Sequence, residues 1–471
     1  MARRRALAAP LAVALLALPA AAADENRDLD LIPDAAGPGA APPEAPAPVP
    51  AGDARQRVFL ENATTGWASR GGLAVPPPGQ PPPDWQERVF LDARKQWQIT
   101  DRLDATYSGR FNLMAEDTVT TPSHANVRND FREGFVSWEP LTRDYLELGR
   151  INLKSGVAAG YNPTDFFKTR AVVDRISQDP ASLRENRLGT FMLLGQTIRE
   201  GATVSVAYAP GLYSPSPLYP PVLPSFDAMF DRTNAHDRVL LKTSASLPGD
   251  FDPELLVYHE GTRWRAGANL AHGIGASVVG YAEWAGGPQA SLIQEALGYG
   301  QQTGSLPVAP SPLPGDPRAH FQNDLTIGAS YATESNITFN LEYQFHQAGF
   351  SAHDWRRWFA VGSANPFQLA ATGPLWFIRD YALDQQEPVS RHNAFLRMDA
   401  VDAFIPKLEI TGFASIDLHD GSSLMQVAAD YYVSNLWTVG AQATGNLGGV
   451  RTQYGSLPQA ASLLVRLVRY F

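Results

Sequence analysis

Along most of this chain apolar and polar residues alternate with a period of two, in runs of about 9 to 12 residues. Ile337, Phe339, Leu341, Tyr343 and Phe345 share one face, with Thr338, Asn340, Glu342, Gln344 and His346 on the other. Leu408, Ile410, Gly412, Ala414, Ile416 and Leu418 oppose Glu409, Thr411, Ser415, Asp417 and His419. The same holds for Met425–Val433, for Trp437–Asn446 and, earlier, for Leu103, Ala105, Tyr107, Phe111 and Leu113 against Asp104, Thr106, Arg110 and Asn112. Side chains of a strand point alternately to the two sides of its sheet, so each run reads as a strand with one apolar face. Strands of soluble sandwiches are usually nearer 5 or 6 residues. A tilted strand needs about 9 to 11 to cross a bilayer. The expected fold is therefore all-β, a transmembrane antiparallel up-and-down β-barrel occupying residues 56–471.

The connections alternate as well. Thr100-Asp101, Thr142-Arg143-Asp144, Glu200-Gly201, Pro248 to Pro253, Glu334-Ser335, Pro406-Lys407 and Ser434-Asn435 are tight, while long links lie near 156–187, 211–236, 286–317 and 350–389. Short turns on one side and long loops on the other is the periplasmic/extracellular asymmetry of outer-membrane barrels. The last eleven residues, Ala461 to Phe471, alternate and stop on an aromatic, with Leu463, Val465 and Leu467 on the apolar face and Arg469 breaking it. Such a strand suits the closing of a barrel at the periplasmic interface. Traced back from it, the tight turns all fall on the periplasmic side. The tally is about eighteen strands, with sixteen the alternative, because the first strand and the pair around Glu254–Ile274 have the weakest patterns.

Arg3-Arg4-Arg5, the apolar run Ala6 to Leu18 and Ala21-Ala22-Ala23 have the form of a secretory signal peptide over residues 1–23. The apolar run is too short to span about 30 Å of hydrocarbon. Residues 24–55, rich in Pro and Ala, read as a disordered periplasmic lead-in and a candidate contact for a periplasmic partner. The chain has no Cys, which excludes disulfides, thiolate metal sites and a lipidated cysteine. Taking the three leader arginines from the 38 Lys and Arg leaves 35 against 48 Asp and Glu, a formal −13. A nucleic-acid binder would show the opposite sign.

The inward faces would carry the chemistry. Trp97, Trp138, Tyr145, Tyr258, Trp284, Tyr343, Tyr431 and Trp437 lie near strand ends and read as interfacial girdles. The basic inward candidates are Arg94, Arg102, Arg110, Arg150, Lys154, Arg238, Lys242, Arg263, Arg265, Arg391, Arg397 and Arg466. The acidic ones are Asp92, Asp104, Glu133, Asp324, Glu342, Asp399, Glu409, Asp417 and Asp430. A slightly basic wall would favour anions through its local field, unless the charges pair off. Arg94, Arg110, Arg150, Asn152, Lys154, Arg238, Lys242, Arg265 and Arg397 are the pore-lining candidates.

The most distinctive internal stretch runs from Leu148 to Lys168. Arg150, Asn152 and Lys154 lead into a glycine-rich turn and then Asn162-Pro163-Thr164-Asp165, where Thr164 or Asp165 is placed to cap a short helix. Lys168, Arg170, Arg175, Arg184 and Arg187 make the following link strongly basic. It reads either as a restriction folded into the pore, with Asn162, Asp165, Lys168, Arg170 and Arg175 as constriction residues, or as an exposed loop. Gly149-Arg150, the Asn162 to Asp165 segment and a short amphipathic helix at Ser291–Leu297 resemble a group of porin-like bacterial outer-membrane barrels. In strand count the chain is also similar to the alginate-export barrels, with no closely matching motif. The resemblance implies a channel for a small solute or for an envelope polymer or lipid.

Enzymatic readings lack a constellation. His419-Asp420-Gly421-Ser422 holds a histidine and a serine without an evident third partner. His272, His346, His353 and His392 show no metal-ligand spacing. The expectation is a non-enzymatic outer-membrane channel without metal or cofactor, in contact with lipid and lipopolysaccharide, with trimer formation open. Export of a polymer or lipid, and a plugged structural or adhesive barrel, are the alternatives. Links 156–187 and 350–389 would narrow the lumen, and Trp355, Trp358, Phe359, Trp376 and Phe377 of the latter would either stack on sugar rings or acyl chains or pack only against one another or lipopolysaccharide.

Overall fold

The computed structural model describes residues 55–78, 83–116, 127–218, 227–249, 251–311, 313, 318–364, 366 and 368–471. The leader expected at 1–23 and the lead-in at 24–55, apart from Arg55, lie outside the described residues.

The alternating runs form strands β1 (Gln56–Ser69), β2 (Trp85–Thr100), β3 (Leu103–Glu116), β4 (Val127–Leu141), β5 (Asp144–Ile151), β6 (Thr190–Arg199), β7 (Ala202–Ala209), β8 (Arg238–Ala245) and β9 (Glu254–Glu260). They continue with β10 (Arg263–Ile274), β11 (Val278–Gln289), β12 (His320–Ala332), β13 (Ile337–His346), β14 (His392–Ala400), β15 (Leu408–Asp417), β16 (Ser423–Ser434), β17 (Trp437–Leu447) and β18 (Gln459–Tyr470). Each strand pairs antiparallel with the next. β18 pairs with β1 from Tyr470↔Phe59 to Gln459↔Ser69, which closes an 18-stranded barrel. The weakly patterned β1, β9 and β10 are all present, so eighteen holds and sixteen does not.

The wall is inside out relative to a soluble protein. Leu91, Leu113, Leu148, Val206, Val257, Leu341, Val427 and Val465 are each more than a third exposed, whereas Asp92, Asn112, Glu283, Asp324, Glu342 and Asp417 are buried. Closing the sheet satisfies every strand edge, which suits an apolar surround that offers no hydrogen bonds. Among the described residues no helix is long and apolar enough to cross a membrane; the strands are what can cross.

All the tight turns expected on one side do share one end of the barrel, including Glu200-Gly201, where Gly201 adopts φ +70. Among the described residues, the opposite end carries parts of the links 70–84, 152–189, 210–237, 290–319, 347–391 and 448–458, and two short links at 261–262 and 418–422. Of the expected girdle residues, Trp97, Trp138, Tyr343 and Tyr431 face outward and are exposed. Tyr258 does not: it points inward, buried, and stacks on Phe166 at 4.6 Å.

Among the described residues helices occur only in the loops: α1 (Pro180–Glu185), α2 (Phe230–Thr233), α3 (Leu292–Gln302), α4 (Ala352–Ala364) and α5 (Leu369–Asp384). α3 is the short helix expected from Ser291, extended to Gln302. Its Leu292, Ile293 and Leu297 join Trp355, Trp358, Phe359, Leu375, Trp376 and Phe377 in a buried cluster that also takes in Val75 and Leu313. This is an apolar cap at the loop end. Its aromatics pack against one another, with Trp358–Trp376 ring centroids 5.6 Å apart, so the self-packing alternative describes them.

Candidate functional site: a loop folded inside the barrel

Loop 152–189 leaves β5, crosses the lumen and returns to β6. Its first anchor is built from backbone. Val157 N–H and, at 2.5 Å, Ala158 N–H donate to the Glu283 carboxylate of β11; Ala159 N–H (2.6 Å) and Gly160 N–H (3.1 Å) donate to that of Glu342 on β13. Successive amides turned toward one carboxylate make an anion-binding nest. The approach needs glycine. At Gly156, with φ +95, an added Cβ would sit 2.6 Å from the Glu283 carboxylate, and at Gly160 it would sit 2.5 Å from the Gln344 amide. The glycine-rich turn is thus a contact surface for the far wall.

The Asn-Pro-Thr-Asp segment forms turns rather than the start of a helix. Thr164 Oγ1 donates to Asn269 Oδ1 at 2.8 Å, and Asn162 Nδ2 donates to Glu283 at 2.9 Å. Asp165 takes two hydrogen bonds from Arg187, at 2.8 and 3.1 Å, with Arg184 3.6 Å away. Burial alone would raise the Asp165 carboxyl, but Arg187 and Arg184 outweigh it and hold it below the usual carboxylate range. The helix of this loop comes later, at α1, where Asp179 is the N-cap.

Further along, the basic residues meet partners from distant loops. Lys168 lies 3.5 Å from Glu387 and over the Tyr161 ring at 4.3 Å. Arg170, at φ +58, donates to Asp384 at 3.1 Å and to Ser216 Oγ at 3.0 Å. Arg232 reaches the same Asp384 at 2.6 Å, so this carboxylate ties loops 152–189, 210–237 and 347–391 together. Arg175 donates to the Leu383 carbonyl at 2.5 Å. Asp174 pairs with Arg88, Arg128 and Arg110; burial works to raise its carboxyl, and these three arginines overcome that and lower it.

The pore-lining candidates divide. Arg94 faces inward 3.5 Å from Glu133, its side chain 48 % exposed. Arg110 donates to Asp92 at 2.9 Å and to Asn186 of the loop at 2.8 Å. Arg238 pairs with Glu260 at 3.0 Å, Lys242 with Glu254 at 3.0 Å, and Arg265 with Asp324. Arg397 binds Asp399 at 2.7 Å and the loop's Asp179. Asn152 and Lys154 belong to the loop, bonded to Arg187 (2.5 Å) and to Glu185. Arg150 differs. It shares the outward parity of Leu146 and Leu148, and it is buried there by the carbonyls of Gly189 (2.8 Å) and Ala228 and by the Phe131 and Phe230 rings. It braces the low rim of the wall under α2 and does not face the lumen.

The wall is also less basic than expected. Arg102 sits in a turn, Arg391 and Lys154 in loops and Arg150 outside, whereas all nine acidic candidates keep inward parity. Inward residues missed in the sequence include Arg88, Arg128, Arg132 and Asp130, although Arg128-x-Asp130-x-Arg132 carries the period-two signature of one face. Asp92 alone accepts from Arg110 (2.9 Å) and Arg132 (2.8 Å). Charges therefore meet in pairs and small networks.

Asp324, His346 and Glu387 bring ligand atoms within 4.8 Å of one another, a cluster that histidine spacing did not show. His346 Nδ1 is 2.7 Å from Asp324 and 3.1 Å from Glu387. Arg265 and Lys168 already neutralise these two carboxylates, which works against a cation there. In the turn at 418–422, the buried Ser422 Oγ accepts from Tyr454 N–H at 3.1 Å while His419 is exposed. No hydrogen bond joins the two among the described residues.

Between the inner loop, α5 and the inward faces of β13–β18 and β1–β4 lies a cavity of about 680 Å³. Gln86, Gln178, Gln344, Gln386, Gln442, Asn393 and Asn446 line it, with Trp67, Phe395, Phe413 and Tyr454.

No protein-family model and no curated protein matches the chain. Among solved structures it is similar to Pseudomonas aeruginosa OccK11 (OpdR), at 10 % identity over 88 % of this chain and 95 % of that one, TM-score 0.47. It is also similar to Salmonella typhi OmpF in complex with daunomycin (8 %, 88 % and 97 %, TM-score 0.40) and to a mutant Rhodopseudomonas blastica porin (8 %, 88 % and 99 %, TM-score 0.36). The barrel assignment rests on the strand pairing itself.

Proposed function

We propose that the chain is an outer-membrane channel for small polar solutes, with loop 152–189 as its restriction. The observation that carries this reading is a closed barrel with a lipid-suited exterior whose polar interior holds that loop and still leaves a cavity of about 680 Å³. Any anion preference is assigned to the loop rather than the wall. Its Lys154, Lys168, Arg170, Arg175, Arg184 and Arg187 outnumber Asp165, Asp174, Asp179 and Glu185. Paired charges give a weak local field, so the preference is small.

The test is single-channel recording on the mature chain refolded into a planar bilayer, with a reversal potential under a salt gradient. Discrete steps with slight anion preference support the reading. A folded barrel without steps favours the plugged structural barrel, which the many bonds between inner loop and wall also suit. Export of a polymer would call on residues 24–55, and deleting them would then abolish export without changing conductance. Chemical crosslinking in lipid tests association into trimers.

A further inference from the structure

The cavity differs from the rest of the lumen in its chemistry. Most charges that reach it are already engaged: Arg128 by Asp130 and Asp174, Asp165 by Arg187 and Arg184, Lys168 by Glu387, while Arg175 donates to the Leu383 carbonyl. Arg379 lies among the indoles of Trp355, Trp358 and Trp376 and donates to Ser456 Oγ at 2.8 Å and the Gln453 carbonyl at 2.7 Å. A cation entering here would lose its hydration and meet Asp165, Asp174 and Glu387 already paired, and an anion would have to compete for Arg175 and Arg379 with the carbonyls and hydroxyl they already serve.

The amides are arranged otherwise. Gln442 donates its NH2 to the Ile176 carbonyl (3.1 Å), Asn393 to that of Ser390 (2.8 Å), Asn446 to that of Gln459 (2.8 Å) and Gln386 to that of Lys168. Gln344 donates to the Glu342 carboxylate at 2.8 Å. A carbonyl or carboxylate accepts only, so these contacts fix which end of each amide is nitrogen. One N–H of each amide is thus anchored, leaving its second N–H and its oxygen, to which no described residue donates. Hydroxyl groups, neutral and both donor and acceptor, match such a set. Phe395 and Phe413, stacked at 5.8 Å, and Tyr454 add flat apolar surface of the kind that accepts the C–H face of a sugar ring. The volume lies in the ~300–1,000 Å³ range of small-molecule sites.

From this we infer that the cavity is a binding site for a neutral polyhydroxylated solute of the size of a mono- or disaccharide. The inference rests on the channel reading for its biological sense but not for its test. Glucose and maltose are titrated into the full mature chain in detergent by calorimetry, beside gluconate and glucosamine as anionic and cationic partners of similar size. The same sugars are added to the bilayer during current recording. The expected result is saturable binding of a neutral sugar, at least about tenfold tighter than either charged analogue, equivalent to ~1.4 kcal/mol. N393A/Q442A should weaken it by a similar factor while the barrel keeps its heat-resistant migration. Sugar binding in detergent with no current steps would leave this site standing and remove the channel. Steps without saturable sugar binding, or tighter binding of gluconate or glucosamine, would overturn the site and leave the channel.

Discussion

Loops 152–189 and 347–391 leave the same end of the wall, yet they are held in opposite ways. The first lies in the lumen through backbone amides on Glu283 and Glu342, ion pairs to Asp384 and Glu387, and the Asp165–Arg187 pair. The second folds into α4 and α5 and buries Trp355, Trp358 and Phe377 in an apolar cluster shared with α3. A polar lumen offers partners to a polar loop. A loop that must stand above the lumen has to bring its own core. Asp384 is where the two meet, since it receives both Arg170 and Arg232.

The largest effect should come from removing the nest's partners. E283A/E342A leaves four loop N–H groups without acceptors, each costing about 1–3 kcal/mol when buried. The inner loop should detach, with single-channel conductance rising severalfold and a new protease-sensitive site between 156 and 187. Unchanged conductance would mean that the ion pairs suffice and the contrast between the loops is overstated.

W358A should cost about 3–5 kcal/mol in the cap, as for other buried aromatics cut to alanine. Proteolysis within 347–391 should accelerate while the inner loop stays protected. If both loops loosen together, they form one unit.

D384N tests the joint directly. Loss of a buried charge-assisted acceptor is worth about 1.5–3 kcal/mol. Hydrogen exchange should rise around both Arg170 and Leu383, and an increase on one side only would break the proposed tie.

The smallest effect concerns pH. Asp165 and Asp174 are held below the usual carboxylate range, so their contribution is complete above the ordinary value of about 4 and is lost as pH falls through the lower folded-state values. These two sets of ion pairs should therefore hold the loop from pH 8 to about 5 and give way only in stronger acid, read as loop opening in the conductance. A transition near pH 6 would point to other groups.

The wall was legible because a strand writes its orientation into every second residue. The same rule places Arg150 in the row of Leu146 and Leu148, and reading its charge as lumenal set that rule aside. Trp355, Trp358 and Phe359 carry helical spacing, but without knowledge of α3 and Leu313 nothing said what they would cover. The basic run of the inner loop was visible, and so was its glycine-rich turn. Their partners were not. Glu283 meets Val157 across 126 residues, and a lone glutamate on an inward face carries no local sign of what it will hold.

That loop 152–189 lies against β10 and β11 inside the barrel is the central claim. The chain has no native cysteine, so T164C/N269C, replacing a pair whose side chains meet at 2.8 Å, introduces a unique thiol pair. In refolded barrels this pair should crosslink under mild oxidation or with a short bifunctional thiol reagent. Failure to crosslink, with both thiols labelled freely by a bulky reagent, would place the loop outside the lumen and contradict the claim.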